Sequence, residues 1–150
     1  MDRAKTTIDT VILTCLGLAL TMSCGGGDSE EATNEGGMSI QIVAPADGAV
    51  IQGDRVTIEL SASGVTIVPA GTDQPNSGHH HLFIDRPATP VGEPIPTEAG
   101  IVHLGAAQTS YVLEGLQPGE HTVIAVLGNY QHVRLGTVAA DTVRFTVIHP

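Results

Sequence analysis

The chain has 150 residues, of which 6 are Lys or Arg and 16 are Asp or Glu, giving a net charge of −10 with neutral histidines. So acidic a surface repels phosphate backbones and anionic lipid heads and attracts cations, which argues against nucleic-acid binding and for a metal as partner. After its leader is set aside, the length fits one core and not two.

Residues 1–23 read as a signal peptide, because Arg3 and Lys5 precede an apolar run at 11–22 that is too short for the roughly 20 residues of a membrane span. Cys24 follows at once, then GGGDSEE, a context that resembles a bacterial lipoprotein cleavage site with its tether. Cys24 is therefore the expected lipidation site. The anchor would be the protein's only tie to the membrane, at the periplasmic or outer-membrane face of the cell envelope. Ordinary export with Cys24 as a spare thiol is the alternative. Cys15 lies in the apolar run and would leave with it, so the mature chain is expected to fold without a disulfide.

Residues 24–37 are mostly Gly, Glu, Ser, Asn and Thr with almost nothing apolar, the composition of a flexible tether. From 38 to 150 short runs of Val, Ile and Thr recur between Gly, Pro and Asn turns, and no helical period persists. Residues 39–43 alternate and end in the turn PADG at 45–48. At 54–61, Val56, Ile58 and Leu60 face one way and Arg55, Thr57 and Glu59 the other. A short run at 65–68 leads through a loop to 79–85.

The prolines of residues 86–100 remove backbone donors, so that stretch is expected as an extended loop crossing the sheets. Residues 101–104 and 108–113 are the next strands. Gln117-Pro118-Gly119 turns the chain into 120–127, apolar on both faces like a central strand. A loop at 128–140 precedes the last strand, 141–148, with Val143, Phe145 and Val147 inward. Seven to eight antiparallel strands at this spacing predict an all-β, immunoglobulin-like Greek-key β-sandwich, with a small barrel as the alternative.

Three of the seven histidines crowd into the stretch SGHHHLFID, residues 77–85. On a strand, His79 and His81 share a face and both can reach one cation, whereas His80 joins Leu82 and Ile84 toward the core. The bland reading of the pair is a solvated strand face. His103, on a short strand, and His132, in the loop NYQHV, are the third and fourth candidate ligands. With neither Cys nor a nearby Met, Cu(II) or Zn(II) held by imidazoles is the consistent choice of metal. Asp85 offers an oxygen ligand, a partner to a ligand, or a turn residue. His121 follows LQPGE, at a place where sandwich corners keep a polar ring for backbone groups, and His149 is expected to be frayed.

The segments SGHHHLFID and EPIPTEAGIVHLGAAQTSYVLEGLQPGEHTVIAVLGNYQH together resemble the bacterial exported domain-of-unknown-function 4399 family over about residues 78–147. The resemblance rests on His79, His81, Asp85, Ile95, Pro96, His103, Gln108, Thr109, Pro118, Gly119, His121 and His132. The late loop departs from the pattern at Tyr130, Val133 and Arg134. The family carries no assigned activity, so the likeness implies export and shared histidines only. In fold and His usage the chain is also similar to periplasmic copper-carrier sandwiches.

The expected function is a lipid-anchored, non-enzymatic domain binding Cu(II) or Zn(II) through His79, His81, His103 and His132. One alternative is a structural or adhesive envelope module with a metal-free histidine hydrogen-bond network. A weaker one is a metal-dependent hydrolase, for which no general base and no catalytic motif is evident.

Overall fold

The structure is a computed structural model that describes residues 37–149. The expected signal peptide, Cys24 and nearly all of the expected tether lie outside the described residues. Nine strands follow one another: β1 (Ser39–Ala44), β2 (Ala49–Gln52), β3 (Val56–Ser63), β4 (Thr66–Ile67), β5 (Ser77–Ile84), β6 (Ile101–Leu104), β7 (Ser110–Leu113), β8 (Gly119–Gly128) and β9 (Asp141–Ile148). One sheet has the order β1-β3-β7, and the other has β2-β9-β8-β5-β4 with β6 also paired to β5. The result is the immunoglobulin-like sandwich that the alternating runs predict.

Two details correct the expectation of seven to eight antiparallel strands. There are nine among the described residues, and two pairings are parallel, β2 with β9 and β4 with β5. The chain leaves the first sheet after β1, crosses at the PADG turn and joins the second sheet as β2. Backbone bonds from Gly48 N to Arg144 O (2.7 Å) and from Gly53 N to Ile148 O (2.9 Å) pin its two ends. A strand of four residues is too short for its alternation to stand out from a turn.

Ile40, Val56, Ile58 and Leu60 of the first sheet pack against Leu82, Val123, Leu127, Val143, Phe145 and Val147 of the second. These are the inward positions of the alternating runs. Ile58 is 0 % exposed, so its burial alone stabilises the fold by about 1.5–3 kcal/mol.

The second sheet is covered on its outer side too, where Phe83, Val126 and Ile95 form a small cluster with Ala88, Ile101, Ile124 and Ala140 around it. Two loops supply that cover, residues 86–100 and 129–140. They hold each other through Gly92 N to Arg134 O (3.0 Å), Arg134 N to Glu93 O (3.0 Å) and Ile95 N to His132 O (2.7 Å). The Arg134 guanidinium also donates to the Thr89 carbonyl. Prolines between these donors keep the first loop extended without demanding a strand partner. Among the described residues no helix is long and apolar enough to cross a membrane.

Candidate metal centre

β5 is buried along both faces, so the solvated-face reading of its histidines fails: His79 is 1 % and His81 2 % exposed. Both point to the outer side of the second sheet, toward the loop cover. β6 pairs with β5 so that His103 stands directly opposite His81, and the two rings stack with centroids 4.9 Å apart. His132 arrives from the loop after β8.

The loop is shaped for that arrival. Asn129 Oδ1 accepts from the amides of Gln131 and Val133, each at 2.9 Å, and the backbone closes through Asn129 N to Val133 O (3.0 Å) and His132 N to Asn129 O (2.9 Å). His132 takes φ +60°, a left-handed conformation that His tolerates better than most residues. Sequence reading passed over Asn129, although an Asn opening a short loop is the usual mark of a side chain that bonds the backbone ahead of it.

The nitrogens that result form a tight group. His79 Nε2 and His81 Nε2 lie 3.0 Å apart, and His103 Nε2 and His132 Nε2 lie 3.1 Å apart. One ligand atom from each of the four imidazoles falls within 4.8 Å of every other. Around a tetrahedral ion with metal–nitrogen bonds of about 2.0–2.1 Å, neighbouring nitrogens stand about 3.3–3.4 Å apart. Each pair is already near that spacing, and the two pairs need only draw together.

Protons are weak competitors here. Burial and the neighbouring imidazoles lower His79 to about 4 and His81 to about 3, and burial followed by His132 lowers His103. Near neutral pH these rings are uncharged, the form that ligates metal. The inner pair is buried while His103 is exposed and His132 half-buried, so the group opens to solvent on one side. His79 Nδ1 and His81 Nδ1 are buried without a partner among the described residues, and the four-imidazole set contains no sulfur and no carboxylate.

The other histidines stand apart. His80 is fully buried on the core side and donates from Nδ1 to the Gln108 carbonyl (3.2 Å), while Gln108 Oε1 accepts from Ala106 N (2.7 Å). His121 donates from Nδ1 to Asp85 Oδ2 (2.7 Å) and from Nε2 to the Gln117 carbonyl (2.8 Å), and its ring stacks on Phe145. That is the corner role expected of it. Asp85 also accepts from Thr122 N (2.8 Å), so its carboxylate is committed to the corner at the far end of β5 and is not a ligand of the cluster. His149, expected to fray, reaches the Leu116 carbonyl at 3.2 Å.

The family profile of a domain of unknown function, DUF4399, matches residues 58–148. The chain belongs to that family. The DUF4399 region takes in all four clustered histidines and the Asp85–His121 corner, and it begins earlier than the resemblance at 78–147, within β3. Among solved structures, the DUF4399 chain is similar to the fibronectin(III)-like modules of Clostridium thermocellum CbhA, at 16 % identity and a TM-score of 0.42, over 73 % of this chain and 96 % of that one. It is also similar to the PKD domain of human KIAA0319, at 11 % identity and a TM-score of 0.39, over 81 % of this chain and 92 % of that one. No curated protein matches it.

Proposed function

We propose that the protein is an exported domain, lipid-anchored through Cys24 in the cell envelope, that binds Cu(II) or Zn(II) through His79, His81, His103 and His132. The binding serves storage, delivery or local structure and is non-enzymatic. The observation that carries this reading is the gathering of four imidazoles, from two strands and a loop far apart in sequence, within 4.8 Å of one another. Imidazole nitrogen suits both metals, and a group without thiolate or thioether disfavours Cu(I). Burying the His79 and His81 rings carries a desolvation cost that bonds from their Nε2 atoms to a cation would offset.

Elemental analysis of protein purified without an affinity tag tests the reading directly. A metal bound only by the folded form at about 100 times its dissociation constant adds about 2.7 kcal/mol, read as a rise in melting temperature. The double variant His79→Ala, His81→Ala is expected to lose that rise. If neither metal co-purifies and neither shifts the melting of the wild-type chain, the histidines form a metal-free network and the proposal is wrong.

A further inference from the structure

Two glycines touch the imidazole cluster, and neither is needed for its own backbone. Gly105 and Gly128 both lie outside the left-handed region that favours glycine, unlike eight other glycines of the domain. What distinguishes them is the space their missing side chains leave. A methyl group on Gly128 would stand 2.9 Å from His81 Nε2 and 3.1 Å from its Cδ2, with Ile95 Cδ1 at 3.3 Å. One on Gly105 would stand 2.6 Å from His103 Nε2 and closer still to His103 Cε1. Real side chains do not approach so closely, so in each case the ring would have to move.

We propose that Gly105 and Gly128 are positioning residues of the cluster: each lends its bare backbone as the floor on which one imidazole lies with Nε2 aimed at the shared centre. The inference rests on the proposed metal site and deepens it, because it names what fixes the ligand geometry. Gly128 is the register partner of His79 across β5 and β8, which sets it beneath the ring of the next residue on the same face, His81. Gly105 follows β6 by one residue and lies under the ring of His103. That matters most for His103, the exposed member of the group, whose ring rests between its stack on His81 and the backbone of Gly105. With glycine beneath it the ring can fold back toward His132, and with any larger residue it is turned to solvent.

The test uses Gly105→Ala and Gly128→Ala in the mature chain, with Zn(II) and Cu(II) titrated by calorimetry. The nitrogen count is read from the Cu(II) electron paramagnetic resonance spectrum, and the imidazole 15N resonances are recorded without metal. Each variant is expected to lose about 10- to 100-fold in affinity, the range seen when groups supporting a ligand are altered. The copper spectrum should report fewer nitrogens, and in metal-free Gly105→Ala the His103 resonances should move to those of a free surface imidazole.

Melting of metal-free Gly105→Ala should match the wild type, since the change touches an exposed ring. Should Gly128→Ala fail to fold, Gly105→Ala decides. Wild-type affinity and wild-type resonances in both variants would overturn the inference while leaving the metal site standing. If the wild type takes up no metal, the proposed function fails, and the metal-free resonances alone decide whether the glycines set the rings.

Discussion

His132 and His121 show at single residues how the same side chain is put to opposite uses. His132 is held at φ +60° by a loop whose amides converge on Asn129 Oδ1, so its ring is placed by backbone chemistry and not by packing. Asn129→Ala is expected to leave the sandwich folded, at a cost of about 1–3 kcal/mol for the unbonded amides, and to weaken metal uptake, which calorimetry would register. In His121 both nitrogens face acceptors, the Asp85 carboxylate and the Gln117 carbonyl, which favours the protonated ring. Burial works against the charge, but the Gln117 and Asp85 bonds prevail and raise His121 above 6.5. A raised folded-state value means that the pair stabilises fully below 6.5 and loses its contribution as pH rises through the folded value. His121→Phe, which keeps a ring against Phe145, should therefore cost more stability near pH 6 than near pH 9, as measured by urea unfolding at each. An equal cost at both would mean that the ring acts there by shape alone.

At the scale of elements, β5 is the strand on which everything turns: its inner face enters the core through Leu82, and its outer face carries His79, His81 and Phe83. Loops 86–100 and 129–140 lie over that outer face and meet at the amides of Gly92, Ile95 and Arg134. Since His132 belongs to this cover and His79 to the sheet, an ion shared by them would clamp the two layers. Hydrogen exchange at those three amides is expected to slow on loading with Zn(II); unchanged exchange would show that the cover is closed without it. Much of this was legible in advance, because Val56, Ile58 and Leu60 or Val143, Phe145 and Val147 announce their strands by alternation, and the prolines of 86–100 announce the loop. The His-x-His spacing likewise put His79 and His81 on one face. Other features left no such mark. β2 takes its place from a parallel partner distant in sequence, the run read at 65–68 pairs only through Thr66 and Ile67, and Gln108, read as the start of a strand, sits before β7 with its side chain turned to the Ala106 amide.

Across the whole molecule, the cluster and the corner occupy opposite ends of one strand, Asp85 standing about 13 Å from His81 and about 20 Å from His79 by the rise of an extended chain, so titration of His121 should not disturb the imidazole group. Both cysteines of the sequence, Cys15 and Cys24, precede the sandwich. A phosphine reducing agent should leave the melting temperature of the Zn(II)-loaded protein where it is, while a chelator should lower it; the reverse outcome in a thermal scan would place the stabilising link elsewhere. The order of the strands also explains why the third and fourth histidines could be nominated from sequence but not located. His103 and His132 lie 29 residues apart, and only the return of β8 alongside β5 brings the ends of their two segments together. The antiparallel pairing of β6 with β5 has one more consequence. β6 is four residues long, and its partners are Leu104 opposite His80 and His103 opposite His81. A slip of one position would send Leu104 out into water and drive His103 between the sheets. Assembly of the fourfold imidazole group thus doubles as a proofreader of strand alignment, satisfied by one arrangement of the chain and blind to its nearest misfolded neighbour.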